Sequence, residues 1–589
     1  MGGIIEERRK EHRLSMVDLY SGICSRSVYN KIIGGENAGG IHVLRAICER
    51  LGINSDRCGT FIASSEYDDI MERLRILEDI KEGRLDRARE CIAGYAERYK
   101  DNPLDCQFTA FMRGRLAELE GNNTEALEYY ENAIHQTMPG YESRKKIPCL
   151  ALHEAYMILG VARIKAKLGD EAEAYSRYEL LMRYYTDSDM EKWNLVCIYP
   201  KLVCELIDII GIDKMGMRGV NDMLEHCEKA LGMLVDTARL YYIRPLLRNI
   251  ICFKRRLGSD EESIRDYEDI LQAVEKLFKK YGHENELFEW YPYYVGCGIY
   301  CVNEFIAERR IMHGMSIEAL AGHNYSARNV QRIIKRQVAP SYNTSKGLLE
   351  KLGLKGFIRS DVIVGRNIGA YKLWDELELC IKKQDSERAD SIIEQLECEL
   401  DYTEKVNDIA LKYIRLYWDF REDKITASDM MVELEKLLPF SVDQIGKYKI
   451  LAKHEKAIIY DYIVCMDMLK KYDSIIDFER LTVDMQDSLS KKRFANCFED
   501  VCVRYANLYG NAGNFDMSNK IAEEGISVDI ECERMRPLST LLYCIAWNNG
   551  KRGEVTENDI DLCRCAYQIA KLNGNEKRMD IYKKWLENR

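Results

Sequence analysis

The apolar and polar positions of the first fifty residues fall into short blocks that predict four helices. A first helix runs from Ile4 to about His12. Ser15 then stands as N-cap for a second over Met16 to Tyr20, its hydroxyl placed to accept from the free N–H groups of the first turn. A turn through Ser21, Gly22 and Ile23 leads to a third helix from Ser25 to Ile33, ended by Gly34 and Gly35. A fourth spans Ile41 to Leu51 before Gly52. In the third helix Val28 or Tyr29, together with Ile32, faces inward, which leaves Ser25, Arg26, Ser27, Asn30 and Lys31 outward.

The same blocks return 301 residues later. Arg8/Arg309, Arg9/Arg310, His12/His313, Ser15/Ser316, Leu19/Leu320, Ser25/Ser326 and Ile32/Ile333 are among 14 identities without a gap over the first 55 or so residues. Chance at ordinary composition gives roughly three. The offset still holds at Arg87-Ala88/Arg388-Ala389 and Ile92/Ile393, so the sequence reads as a duplicated unit of about 300 residues. In the second copy Ser316 is the cap, Ser326 opens the third helix and Leu348 to Leu352 closes the head. Its outward residues are Arg328, Asn329, Gln331, Arg332, Lys335 and Arg336.

The long stretches after each head read as helix pairs. Gly114, Gly121, Ala126, Tyr130 and Ala133 take the small-residue and aromatic positions of a tetratricopeptide repeat, as do Ala506, Tyr509, Gly513, Ser518, Ala522 and Gly525. Small residues let paired helices approach, and stacked repeats form a superhelix with a concave face. The expected architecture is all-α in four parts: a helix-turn-helix head over 1–56, a helical body over 66–300, a second head over 302–356 and a second body over 370–589.

The segment from Gly22 to Glu36 resembles the Cro-type (XRE) helix-turn-helix, most closely the version that heads the Rgg/PlcR-type (RRNPP) peptide-responsive transcription regulators. Such a head on a tetratricopeptide body matches each half of the chain. Met16 and Ile317 stand where the family usually has Gln, and Ile33 and Ile334 where it usually has a Glu paired with a first-helix Arg. The resemblance therefore does not extend to one phosphate contact or to that internal ion pair. It implies double-stranded DNA as a partner, with Arg and Lys reading guanine, Asn and Gln reading adenine, and Ser or Arg reaching phosphates. It also implies a short signalling peptide in the concave groove. Side chains that suit a peptide backbone and its terminal carboxylate are Tyr241, Arg244, Arg248 and Asn249 in unit one, and Arg504, Asn507 and Asn511 in unit two. Because family members are usually homodimers, the fusion reads as a covalent pseudo-dimer, with self-association of the fused chain left open.

Composition narrows this further. A net charge of −11 excludes a histone-like surface, so nucleic acid has to be met by local basic patches. Only nine prolines interrupt 589 residues, which favours helices. The 21 cysteines form no Cys-x-x-Cys, and the spacing of Cys297 and Cys301 lacks a zinc-site partner, so they read as thiols of a reducing cytoplasm. No apolar run is long enough to span a bilayer, and neither a phosphate loop nor a catalytic motif occurs. No cofactor or metal is expected. The aromatic pairs Tyr184-Tyr185, Tyr241-Tyr242 and Tyr293-Tyr294 read as packing. The rival to a non-enzymatic transcription regulator is a protein-interaction scaffold whose heads are degenerate packing modules.

Overall fold

The computed structural model describes residues 2–34, 40–53, 61–143, 147–186, 188, 190–284, 299–354, 362–383, 385–447, 450–472 and 476–589. Gly35, Tyr293, Tyr294 and Cys297 lie outside them. The first head is α1 (Gly2–Glu11), α2 (Met16–Tyr20), α3 (Arg26–Ile33) and α4 (Gly40–Arg50). A two-residue strand β1 (Phe61–Ile62) leads to a body of α5 (Ser64–Lys81), α6 (Leu85–Arg98), α7 (Pro103–Leu119), α8 (Asn123–Thr137) and α9 (Leu152–Lys167). It continues with α10 (Glu171–Thr186), α11 (Lys192–Val196), α12 (Tyr199–Ile210), α13 (Met217–Thr237), α14 (Ile243–Arg256) and α15 (Glu261–Lys280). Strand β2 (Tyr300–Cys301) pairs parallel with β1 and opens the second head: α16 (Val302–Met312), α17 (Ile317–Ala321), α18 (Ala327–Ile334) and α19 (Tyr342–Lys351). The second body runs from α20 (Ile368–Lys383), α21 (Ser386–Glu399), α22 (Lys405–Arg421), α23 (Ala427–Leu437) and α24 (Lys453–Met468) to α25 (Phe478–Leu481) and α26 (Ser488–Arg493). It ends with α27 (Ala495–Asn511), α28 (Phe515–Glu531), α29 (Leu538–Arg552), α30 (Glu557–Leu572) and α31 (Glu576–Glu587).

The fold is all-α, and the bounds of α2/α17, α3/α18, α6/α21 and α9/α24 differ by 301 at both ends. The closing helix of the second head is longer than Leu348 to Leu352: it starts at Tyr342, where Ser341 accepts from the Thr344 N–H. Helix pairs approach as the small residues require. Tyr130 on α8 is wholly buried, and a Cβ on Gly114 of α7 would lie 2.7 Å from its ring, one on Gly160 of α9 3.1 Å.

Each head is seated on its own body through one buried carboxylate. Glu154, at the start of α9, receives Arg50 Nε at 3.2 Å and Nη2 at 2.5 Å. Arg50 Nη1 also donates to the carbonyls of Asp18, Leu19 and Ser21, which end α2. At the 301-residue equivalents, Lys351 donates to the Leu320 and Ala321 carbonyls. A lysine has no fork to reach further, and the carboxylate of Glu455 is met instead by Arg309 from α16.

The two bodies meet through matching elements. Helices α15 and α30 pack together, with Lys276 paired to Asp561 at 3.0 Å and Lys571 to Asp266 at 2.5 Å. These pairs are reciprocal under a shift of 295 residues. The same shift relates Arg239 to Arg534, which form an antiparallel bridge, and Ala238 to Glu533, both in the left-handed region. Head two also touches unit one, where Asn303 Oδ1 accepts from the Ser64 N–H at 3.2 Å, and head one touches unit two, where Glu7 accepts from the Ile368 N–H at 3.1 Å.

Burial alone would raise the Glu154 carboxyl, but the Arg50 charge and the hydrogen bonds from Arg50 and Thr137 outweigh it and hold it at about 2, below its ordinary 4.5. The stabilisation is thus complete above pH 4.5 and is lost as pH falls toward 2. Glu154→Ala leaves a buried guanidinium unpaired and should cost about 3–5 kcal/mol, read by denaturant unfolding.

Candidate nucleic-acid interface

The third helix of each head is built to show one face. In α3, Tyr29 is wholly buried and Ile32 nearly so, while Val28 is half-buried. In α18 the same positions hold Val330 and Ile333, both buried. Tyr29 donates its hydroxyl to Glu6 at 2.8 Å, and Glu6 in turn receives Arg9. Burial and then the Glu6 bond push the Tyr29 hydroxyl well above its ordinary range. The first-helix arginines have the same second task in both heads: Arg9 donates to the Leu14 carbonyl at 2.8 Å and Arg310 to the Met315 carbonyl at 2.7 Å, fixing the turn into the second helix.

The opposite face is exposed. Arg26, Ser27, Asn30 and Lys31 line one shallow depression on α3. On α18, Arg328, Gln331, Arg332 and Lys335 are exposed, and Asn329 is half-buried. None of Arg26, Lys31, Arg328, Arg332 and Lys335 makes an ion pair among the described residues. Exposed arginines of the bodies behave differently: Arg89 pairs with Asp86 and Glu120, Arg183 with Glu179 and Arg388 with Glu376. Cations held out of ion pairs next to polar amides are suited to phosphates and base edges.

Two expected members of these faces are placed otherwise. Ser25 is the N-cap of α3, and its hydroxyl accepts from the Val28 N–H at 3.3 Å. Arg336 lies past the end of α18 at φ +56 and pairs with Glu304 at 2.7 Å and with Asp68 of α5 at 2.5 Å, so it ties head two to the first body. The N-terminus of α2 is also occupied from within: Ser15 and Asp18 form a capping box.

The seven groove residues do not converge on one site. Tyr241 is buried against Tyr242 and hydrogen-bonded to the Tyr156 hydroxyl. Arg244 is buried over the Phe278 ring and donates to the Glu284 carbonyl at 2.5 Å, and Asn249 is buried too. Their expected ligand-facing role fails because α14 turns these side chains into the packing between helices. Arg248 is exposed and paired with Glu275. In unit two Arg504, Asn507 and Asn511 form one stripe of α27, with Arg504 near Asp461 and Asp500, Asn507 exposed and Asn511 donating to Asp467 at 2.8 Å.

Sequence reasoning passed over the residues that aim the recognition helices: Arg50, Glu154, Arg309 and Glu455. A signal was present in Leu150-Ala151-x-His153-Glu154 and Leu451-Ala452-x-His454-Glu455, again 301 apart.

No family model and no curated protein matches the chain. Among solved structures it is similar to PlcR of Bacillus thuringiensis, solved with the peptide PapR7 and DNA, at 17% identity over 49% of this chain and 99% of that one, with a TM-score of 0.31. ComR of S. thermophilus, solved with DNA and its signalling peptide ComS, gives 14%, the same coverages and a TM-score of 0.29. Rgg2, the SHP pheromone receptor of Streptococcus dysgalactiae, gives 14%, 49% and 99%, and 0.24.

Tyr29→Phe should cost about 1 kcal/mol through the lost Glu6 bond. Tyr29→Ala should cost about 3–5 kcal/mol through the cavity beneath α3, and thermal unfolding followed by circular dichroism distinguishes the two.

Proposed function

We propose that this chain is a sequence-specific DNA-binding transcription regulator in which two fused units act as a covalent pseudo-dimer. The observation that carries this reading is the pair of unsealed, cation-bearing faces on α3 and α18, at equivalent positions of two heads. The reciprocal ion pairs between α15 and α30 support the pseudo-dimer, because a residue that meets its counterpart's partner is the mark of a two-fold interface. Such a protein places its recognition helices in successive major grooves about 34 Å apart. The covalent link replaces concentration-dependent dimerisation.

The two faces differ position by position. Arg26, Ser27, Asn30 and Lys31 have Ala327, Arg328, Gln331 and Arg332 as their equivalents, so the two half-sites of the operator differ. We further propose a short peptide as effector, on the strength of the family resemblance and of α27, where the exposed Asn507 stands between Arg504 and Asn511, which are themselves held by aspartates.

Selection of bound sequences from a random duplex pool tests the reading. A bipartite site with unlike halves is expected, bound by one chain. Arg26→Ala with Lys31→Ala should weaken one half, and Arg328→Ala with Arg332→Ala the other, each by about 1–3 kcal/mol per base-contacting residue. Failure to select any sequence, with a protein partner retained by both variants, favours the scaffold.

A further inference from the structure

The amide and the guanidinium on the two recognition helices are spaced differently. In α3, Arg26 precedes Asn30 by four residues, and in α18, Arg328 precedes Gln331 by three. Asn30 and Gln331 are equivalents under the 301-residue shift, whereas the arginine has moved one place along: Arg26 corresponds to Ala327, and Ser27 to Arg328. Lys31 and Arg332 keep a cation at one position in both heads, so they do not distinguish them.

The two helices are matched in every other respect that sets where these side chains point. Ser25 accepts from the Val28 N–H at 3.3 Å and Ser326 from the Asn329 N–H at 3.2 Å, so both helices start at the same cap. Tyr29 and Ile32 in one, and Val330 and Ile333 in the other, are buried at equivalent positions and hold the same rotation. Arg26, Asn30, Arg328 and Gln331 are exposed, and none makes a side-chain hydrogen bond or ion pair among the described residues.

Helix geometry turns the one-residue step into a change of side. With 3.6 residues per turn and a rise of 1.5 Å, Arg26 lies about 6 Å before Asn30 and about 40° to one flank of it. Arg328 lies about 4.5 Å before Gln331 and about 60° to the opposite flank. A carboxamide pairs with adenine, donating to N7 and accepting from N6, and a guanidinium donates to N7 and O6 of guanine. Equivalent amides meet equivalent bases, and displaced arginines meet guanines at different steps. Ala327 has no donor and Ser27 a single hydroxyl, so neither head reads guanine bidentately at the other's step.

Resting on the regulator reading above, we propose that the two half-sites share an adenine, read by Asn30 and by Gln331, and differ in the step at which a guanine stands from it. Arg26 sets that step in one half and Arg328 in the other. Residues 26, 27, 327 and 328 thereby carry the asymmetry of the operator.

Selection from a random duplex pool with the full chain and its variants tests this. The unchanged chain should yield a bipartite site with guanine at unlike steps from a common adenine. Arg26→Ala with Ser27→Arg gives head one the residue order of head two. It should move the guanine of that half to the step found in the other, so that the halves become alike and are preferred at least about tenfold over the original site. Ala327→Arg with Arg328→Ser should do the converse. Asn30→Ala and Gln331→Ala should each relax the adenine in one half only, while circular dichroism shows folded chains. Guanine at the same step in both halves for the unchanged chain, or a guanine that stays in place in the Arg26→Ala, Ser27→Arg chain, overturns the assignment and leaves the regulator reading standing. Failure of the unchanged chain to select any sequence overturns both.

Discussion

A buried carboxylate at the foot of each head fixes where its third helix points. Glu154 and Glu455 are both wholly buried, and an isolated ionised carboxylate there would be too costly to keep without a cation. Arg50 and Arg309 meet that need, and both belong to the heads rather than the bodies. The pairing therefore works as a locator: the head seats where its guanidinium reaches the carboxylate, and buried pairs of this kind set geometry more than they add net stability. In unit one the same guanidinium holds the carbonyls that end α2, so body, second helix and closing helix share one anchor.

From that anchor the outward faces follow. Tyr29 and Ile32, or Val330 and Ile333, fill the head core, and the helical period then turns Arg26, Ser27, Asn30 and Lys31, or Arg328, Gln331, Arg332 and Lys335, to solvent. The units are equivalent in backbone and unequal in chemistry. Their matching elements meet across α15 and α30, while the recognition faces and the head–body cations differ. The ion pairs between α15 and α30 are largely exposed and worth little energy. Their value lies in fixing the register between bodies.

Much of the head was legible in the sequence. Ser15, Ser25, Ser316 and Ser326 mark helix starts that the structure places within a residue, because capping is local chemistry. The Gly114, Tyr130 and Gly160 contact was half legible, since the repeat pattern flags positions and not the ring that fills them. The bodies resisted phasing because the offset between units shifts from 301 at α9/α24 to 295 at α15/α30, so an ungapped comparison loses them. Groove residues failed for a different reason. Whether Tyr241, Arg244 and Asn249 face solvent or a neighbouring helix depends on how α14 packs, which composition does not encode. Arg336 resembled its neighbours on α18 until its left-handed backbone turned it toward Asp68.

The account rests on two heads held at a set distance by their joints. Nitroxide probes carried by non-natural amino acids at positions 27 and 328, read by pulsed electron paramagnetic resonance on the DNA-free chain, measure that distance directly. One narrow distribution centred near a DNA turn, about 34 Å, is the predicted result. A broad distribution, or a narrow one far from that spacing, would contradict it.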